Sequence, residues 1–352
     1  EDRPRRRVVI STHTISLQEQ LISKDVPFLN SVIPLEFAAV LVTGRGNYLS
    51  LRRLDNARQR AGSLFNHDEE FGQLDKLAAW CDQTADGSLS DIDFRPQPSI
   101  WDEVASDHGN CMGRKCPRQK DCYYYRARRR VGNAQILIVN HALFFSDLAL
   151  RRQGASILPD YDVVVFDEAH TVESVAGDHL GLGVTSGQVE YTLRRLYNDR
   201  SNRGLLVHNN LRDAQRMVAD CRDRAAEFYE SLDGWLSAHP GNGRVREEEI
   251  VANPLSEGLD RLSVTVRRAG EKLDSDEQRQ DFTAMANRLD TLATQIEEWR
   301  CQEVPEAVYW IDRFASRNRR RISLSAVPID VGPILKEQLY DKVPTVVMTS
   351  AT

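Results

Sequence analysis

The sequence predicts an α/β fold built on an open parallel sheet, because short apolar runs alternate with polar clusters. Each run is rich in β-branched residues and has no polar face, which is typical of strands buried on both sides of a sheet. The runs lie at residues 8–10, 38–42, 136–139 and 163–166, with a fifth at 346–348.

Polar or glycine-rich residues follow these runs directly. They are Ser11 to Thr14, Gly44 to Asn47, Asn140-His141, Asp167 to His170 and Thr349 to Thr352. Because the carboxyl ends of parallel strands form the ligand crevice of an open α/β sheet, we expect these clusters to share one site.

A helix is expected after the first strand. Ser16 to Glu19 has the spacing of a capping box, and Leu17 and Leu21 fall on one face. The loop before this helix would present free N–H groups at the sheet edge, which favours phosphate.

Composition and charge limit the classes of function. The chain has 352 residues, 41% hydrophobic content and a formal charge of -6, which excludes a uniformly basic nucleic-acid coat. DNA contact would need the local arginine runs at 5–7, 126–130 and 317–321, each of which is also explained as a solvated face. No apolar run is long enough for a membrane span, so a soluble, intracellular protein is expected.

A first composition change covers residues 50–131, which we interpret as an insertion. Three of the six cysteines, Cys111, Cys116 and Cys122, fall within twelve residues and indicate a metal site. Zinc held by these cysteines with His108 is one interpretation, and three reduced thiols without metal is another.

A second change, at about 187–303, has apolar residues spaced three and four apart, which predicts long antiparallel helices. The first stripe is Leu211, Ala214, Val218, Cys221, Ala225, Phe228, Leu232 and Trp235. Cys221 is therefore expected in the core. The alternating Ile322 and Leu324 predict a return to sheet structure.

Asp167 and Glu168 are the strongest catalytic candidates. In nucleotide hydrolysis one carboxylate holds Mg²⁺, usually through water, and a second orients or deprotonates the attacking water. Neighbouring residues at a strand end point in different directions, so each can take one role. The alternative is an ordinary solvated turn.

These motifs together resemble the XPD/DinG family of superfamily 2 DNA helicases. Residues 9–14 with 17–21 are similar to motif Ia, residues 133–145 to the stretch before motif II, Asp167 to His170 to motif II, and Thr349 to Thr352 to motif III. Gly44 to Leu49 is similar to the segment that leads into the family's iron–sulfur domain.

The resemblance implies a RecA-like motor domain with two insertions. Residues 1–49, 132–183 and 305–352 would form the motor domain, 50–131 an iron–sulfur-type domain and 184–304 a helical arch. His170, Ser350 and Thr352 would couple hydrolysis to DNA binding and domain movement. The residues expected to bind DNA are Thr12, Thr14, Arg45, Tyr48 and Arg126; for Thr12 and Thr14 the alternative is helix capping.

In the family, four cysteines hold a [4Fe–4S] cluster, and Cys111, Cys116 and Cys122 have the spacing of the last three. The position of the first is Ser50, a poor substitute, and Cys81 is a weak one, which puts the cluster in doubt. Tyr123 to Tyr125 beside Arg126 suit single-stranded nucleic acid, or the tyrosines pack a small core.

We therefore expect an ATP- and Mg²⁺-dependent helicase that moves 5′ to 3′ on single-stranded and forked DNA, in repair or replication, in a bacterial cytoplasm near the nucleoid. The chain would be a fragment without its phosphate-binding loop and second motor domain, and inactive alone. The alternative is a helicase-fold scaffold that binds nucleic acid without turnover.

Overall fold

The computed structural model describes residues 6–65, 68–152, 154–316 and 319–351 and divides into two compact units. The first unit contains the described parts of Glu1–Gly44, Tyr123–Gly181 and Val327–Thr352. The second contains those of Arg45–Cys122 and Leu182–Ala326.

In chain order the strands are β1 (Val8–Thr12), β2 (Ala39–Leu41), β3 (Ile136–Asn140), β4 (Val163–Phe166), β5 (Leu182–Thr185), β6 (Arg244–Val245), β7 (Ala307–Ser316), β8 (Arg319–Pro328) and β9 (Thr345–Met348). The α-helices are α1 (Ile15–Gln20), α2 (Val26–Val32), α3 (Leu51–Gln59), α4 (Ala61–Leu64), α5 (Asp68–Cys81), α6 (Pro98–Val104), α7 (Tyr123–Asn133), α8 (His141–Arg152), α9 (Val172–Leu180), α10 (Ser186–Leu196), α11 (Leu205–His208), α12 (Arg212–Ala238), α13 (Pro254–Glu271), α14 (Asp276–Arg300) and α15 (Gly332–Leu335).

The first unit is organised around a parallel sheet with the strand order β2-β3-β1-β4-β9. The apolar runs form its strands, which confirms the predicted α/β class. β1 lies in the middle, and its last residues pair with the ends of both neighbours, Thr12 with Asn140 and Ser11 with Phe166. This register brings the tips of β3, β1 and β4 to one edge of the sheet.

The start of α1 differs from the prediction. Its N-cap is Thr14, whose backbone is extended and whose Oγ1 accepts a hydrogen bond from the N–H of Leu17 at 3.3 Å. The capping box expected at Ser16 is therefore wrong by two residues. Thr14 already satisfies a free donor of the first turn, so the helix begins at Ile15.

The second unit contains the three long helices α12, α13 and α14, which pack through the apolar stripes predicted for them. Phe228, Leu262 and Trp299 are buried in this core, and Cys221 is 1% exposed, as expected for a core residue. An antiparallel sheet with the order β5-β8-β7-β6 completes the unit.

Several segments lie in different units from those expected, and the first of them is Arg45 to Leu49, which belongs to the second unit. Strand β7 and the part of β8 up to Ala326 belong to the same unit as the long helices, because Ile311, Ile322 and Leu324 pack into the same core. Helix α7, expected within the first insertion, belongs to the parallel-sheet unit, where Val131 joins the core. The interpretation of residues 50–131 and 184–304 as iron–sulfur-type and arch domains stays a prediction.

Within the described ranges, the structure has no helix that is both long and apolar enough to cross a membrane.

Candidate nucleotide site at the edge of the parallel sheet

Backbone hydrogen bonds join the tips of β1, β4 and β9. The N–H of Asp167 donates to the carbonyl oxygen of Ser11 at 2.9 Å, and the N–H of Thr349 donates to that of Phe166 at 2.8 Å. The N–H of Ala169 then donates to the carbonyl oxygen of Thr349 at 2.9 Å. The acidic segment is thus held between the tips of its two neighbouring strands.

Asp167 and Glu168 leave this edge in different directions. The Asp167 carboxylate accepts a hydrogen bond from Thr349 Oγ1 at 3.3 Å, toward β9. Glu168 has left-handed backbone angles, with φ 50° and ψ 50°. Few residues other than glycine adopt this conformation, and such strain concentrates at functional sites. The turn separates the two carboxylates, as two distinct roles require.

His170 connects the acidic segment to the residues after β9. Its Nδ1 lies 3.1 Å from Ser350 Oγ and 3.2 Å from Glu168 Oε2. The structure therefore brings together four of the predicted site residues, Asp167, Glu168, His170 and Ser350. Thr352, predicted to act with Ser350, lies outside the described residues.

His141 is a central residue of this edge to which the sequence had assigned no role. Its ring is 1% exposed. Nε2 lies 2.9 Å from the carbonyl oxygen of Asp167, and Nδ1 lies 2.7 Å from Ser11 Oγ. A carbonyl oxygen only accepts, so Nε2 carries the proton and Nδ1 accepts from the Ser11 hydroxyl. In the sequence, the position of Asn140-His141 directly after β3 was the signal that could have placed His141 at this edge.

The protonation of His141 follows from its surroundings. Burial is the main cause of the lowered pKa of this imidazole, the hydrogen bond to Asp167 opposes the shift, and the nearby His13 adds to it. His141 is therefore neutral at pH 7. A neutral ring fixes the backbone of Asp167 without adding a positive charge that would compete with a metal ion.

The residues expected to bind DNA lie in different surroundings. Thr12 is fully buried, and its hydroxyl donates to the carbonyl oxygen of Thr14 at 3.2 Å. Thr14 is exposed and caps α1. Arg126 in α7 lies over the ring of Tyr123, 4.7 Å from its centroid.

Arg45 and Tyr48 are part of the second unit, where Tyr48 is 6% exposed and Arg45 Nη1 donates to the carbonyl oxygen of Asp107 at 3.5 Å.

The predicted cysteine site is not supported. In the part of the chain that the structure describes, no group of three or more His, Cys, Asp and Glu side chains is arranged to hold a metal ion. Ser50, at the position of the family's first ligand, caps α3 by accepting from the N–H of Arg53 at 3.5 Å. Burial is the main cause of the raised pKa of Cys116, and the nearby Cys122 and Cys111 add to the shift.

A Mg²⁺ ion that binds together with a nucleotide needs fewer protein ligands than a metal site built from side chains alone. It is commonly held by one or two carboxylates, with substrate phosphates and water as the other ligands. Asp167, half-buried at a strand tip and hydrogen-bonded on one oxygen by Thr349, fits that requirement. The Glu168 carboxylate, turned toward His170, fits a group that handles a proton.

Adjacent acidic residues at the tip of a parallel strand are the arrangement that the sequence predicted for nucleotide hydrolysis, and comparison with known proteins gives related matches. The DEAD_2 family model matches residues 106–189.

The ATP-dependent DNA helicase YoaA of Escherichia coli (strain K12) is 28% identical over 99% of this chain and 53% of its own length. The ATP-dependent DNA helicase DinG of Photobacterium profundum is 33% identical over 49% of this chain and 26% of its own length. These matches confirm the predicted resemblance to XPD/DinG-like helicases. The chain spans about half the length of the YoaA helicase that it matches.

A solved structure described as truncated XPD covers 98% of this chain and 82% of that protein, with 12% identity and a TM-score of 0.43.

Proposed function

We propose that this chain is part of an ATP-dependent DNA helicase and carries the hydrolytic carboxylates of its motor. Asp167 and Ala169 are hydrogen-bonded to the tips of β1 and β9 and so hold Asp167 and Glu168 at the sheet edge, which is the observation that carries the proposal. The similarity to helicases named for ATP and DNA supports the choice of nucleotide and polymer.

The two carboxylates divide the work. Asp167 would hold Mg²⁺, which when bound neutralises charge on the nucleotide phosphates. Glu168 would orient the attacking water and accept its proton. His141, through its hydrogen bond to the carbonyl oxygen of Asp167, would keep that residue in place while staying neutral.

Residues at the same sheet edge would couple ATP hydrolysis to DNA binding. His170 touches both Glu168 and Ser350, so a change at the nucleotide can reach the segment after β9. The exposed Thr14 would contact the DNA backbone, since hydroxyl and N–H groups bind phosphate without reading bases. Thr12 is buried and would support that loop rather than touch DNA.

The outer strand β9 supports a larger motor. Val347 and Met348 are 40% and 47% exposed, although strands of a parallel sheet are normally covered. A further strand pairing with β9, together with the helices packed on it, would cover them, and the loop after that strand would lie beside Asp167. We propose that the phosphate-binding loop, which the family resemblance implies, occupies this place.

Three finer parts of the proposal rest on the family resemblance. They are 5′ to 3′ translocation on single-stranded and forked DNA, a role in repair or replication, and a second motor domain elsewhere in the same protein. A tailed duplex with its single strand at the 5′ or the 3′ end would test the polarity directly.

The central test is Glu168→Gln in the full-length protein that carries these residues. We expect DNA-stimulated ATP hydrolysis to fall by a factor of about 100 or more, because removal of a general base costs 10²–10⁴ in rate. Binding to single-stranded DNA should stay unchanged. The matched control is Glu173→Gln, the same substitution at an exposed position in α9, which should hydrolyse ATP like the parent.

Equal turnover in Glu168→Gln and the parent would refute the assignment. A parent that binds DNA but hydrolyses no ATP would favour the scaffold alternative.

A further inference from the structure

The second unit contains a small cavity surrounded by charged side chains. Its volume is about 60 Å³. A water needs about 10–15 Å³ by the same measure, so the cavity accommodates about four or five such groups. That is the size of one tetrahedral oxyanion, and it is too small for a nucleotide chain.

Guanidinium groups outnumber carboxylates around this cavity. Its arginines are Arg53, Arg60, Arg195 and Arg288, and its acids are Glu103, Asp107 and Asp281. Arg195 pairs with Glu103 at 3.0 Å, and Arg288 pairs with Asp107 at 3.0 Å. Asp281 is shared, because Arg60 lies 2.9 Å and the buried Arg52 3.7 Å from its oxygens.

Arg53 is the arginine without a carboxylate. It is 6% exposed, and its guanidinium donates to the carbonyl oxygens of Ala105 and Asp102 at the carboxyl end of α6. In the described part of the chain no carboxylate lies within 4 Å of it. Burial is the main cause of its lowered pKa and the nearby Arg195 adds to the shift, whereas the charges of Glu103, Asp107 and Asp281 oppose it without reaching ion-pair distance.

The carbonyls of α6 offset only part of this charge, because a helix end carries about half an elementary charge. Removing a charge from water is costly when no counter-charge lies at ion-pair distance, so a buried cation of this kind usually has an anion in direct contact with it.

Asn56 supplies a second, independent observation. It lines the cavity from the same helix as Arg53, and its Nδ2 is buried without a hydrogen-bond partner among the described residues. Buried donors are nearly always satisfied, and a donor without an acceptor costs about 1–3 kcal/mol. An oxyanion in the cavity would accept from Asn56 and face Arg53 at once.

We propose that this cavity binds a free, phosphate-sized oxyanion. Guanidinium and amide donors converge on it, and planar guanidinium groups bind phosphate and sulfate oxygens in pairs. Arg53, Arg195 and Arg288 also line a wider groove of about 900 Å³, through which we expect the anion to reach the cavity. The site is separate from the carboxylates at the sheet edge and independent of the function proposed for them.

Equilibrium dialysis of the 352-residue chain with radiolabelled inorganic phosphate tests the proposal, with sulfate as competitor and chloride holding the ionic strength constant. We expect saturable binding of one phosphate per chain. Asn56→Asp places a carboxylate in the cavity and should weaken binding by a factor of about 10 or more. Asn56→Ala removes only the donor and should weaken phosphate binding about threefold. This variant replaces Asn56→Asp in the test if circular dichroism shows that Asn56→Asp does not fold.

Arg58→Gln is the matched control, because Arg58 lies on the same helix with its side chain 52% exposed and pairs with Asp75 outside the cavity. Its phosphate affinity should equal that of the parent. The proposal is overturned by an absence of saturable binding, by equal affinity in the Asn56 variants and the parent, or by an equal loss in Arg58→Gln. It is also overturned if an oligothymidylate binds in an Asn56-dependent way while inorganic phosphate does not.

Discussion

His170 Nδ1 lies 3.1 Å from Ser350 Oγ, which joins the acidic segment after β4 to the segment after β9. The same nitrogen lies 3.2 Å from Glu168 Oε2, so one imidazole contacts both the proposed catalytic base and the proposed coupling residue. A shift of Glu168 upon hydrolysis would therefore displace the partner of Ser350.

Ser350→Ala should separate hydrolysis from movement. Without the hydroxyl, His170 keeps Glu168 but loses its contact beyond β9, so DNA-stimulated ATP hydrolysis should change little. Unwinding per ATP consumed should fall about 5- to 30-fold, the range of a modest coupling free energy. Parallel ATPase and strand-displacement assays on the full-length protein measure the ratio, and a proportional loss of both activities would contradict this role of Ser350.

His141 predicts how the stability of the parallel-sheet unit depends on pH. Its folded pKa is lowered, mainly by burial, below the unfolded value of about 6.5. The unfolded chain therefore binds a proton that the folded one does not, and stability falls as the pH drops below about 6.5. His179, whose pKa burial also lowers, acts in the same direction.

His141→Gln should weaken this pH dependence, because glutamine does not titrate, and His179→Asn should remove a further part of it. Hydrogen exchange of the β1 and β4 amides between pH 5.5 and 7.5 would report it, since local opening sets the exchange rate. All five tryptophans lie in the second unit, so their fluorescence is the internal control. An unchanged slope in both variants would show that other groups cause the effect.

The strands and the site were predictable from sequence to different degrees. The run at 163–166 and the acidic pair after it are local, so periodicity and composition were enough to find them. The role of His141 depends on β3, β1 and β4 lying side by side, and the sequence does not state that order. Likewise the alternation at Ile322 and Leu324 predicts a strand but not which core it joins.

The N-cap of α1 was missed for a local reason. Thr14 and Ser16 are both good capping residues two positions apart, and the Glu19 that favoured Ser16 forms no reciprocal contact in the helix that begins at Ile15. Backbone conformation decided between them, since Thr14 is the one in the extended region.

The contact between α13 and α14 gives a prediction about packing. A Cβ at Gly270 would lie 2.6 Å from Phe282 Cβ, an atom fixed to the backbone of α14. Gly270→Ala should therefore lower the free energy of unfolding of the second unit by about 1–3 kcal/mol, as overpacking of a core does. Trp299, buried in α14, reports the transition by fluorescence.

Gly234→Ala is the matched control, since Gly234 lies exposed in α12 with nothing within 4 Å of its added Cβ. It should stabilise the unit by about 0.5–1 kcal/mol through helix propensity alone. Two substitutions of equal chemistry should thus have opposite signs, and equal effects would contradict the packing of α13 on α14.

The cysteines should behave as thiols rather than ligands. Anaerobically purified chain should contain little iron or zinc, with no absorbance near 400 nm, and a chelator should not speed the alkylation of Cys111, Cys116 and Cys122. Cys221 is the internal standard, because burial raises its pKa to about 12 and it should react only after denaturation. The metal-site interpretation would be restored by a stoichiometric amount of bound metal, provided that its removal by a chelator speeds the alkylation of these cysteines.

The left-handed backbone of Glu168 predicts that function and stability oppose each other at this position. Glycine adopts these angles without the cost of a Cβ, so Glu168→Gly should stabilise the parallel-sheet unit by about 0.5–1 kcal/mol while abolishing ATP hydrolysis. Glu306, with φ 49°, is the matched control in the second unit. Glu306→Gly should give a similar gain in that unit, with ATPase activity unchanged. Hydrogen exchange measures the first gain and tryptophan fluorescence the second; a loss of stability in Glu168→Gly would show that its contact with His170 outweighs the backbone strain.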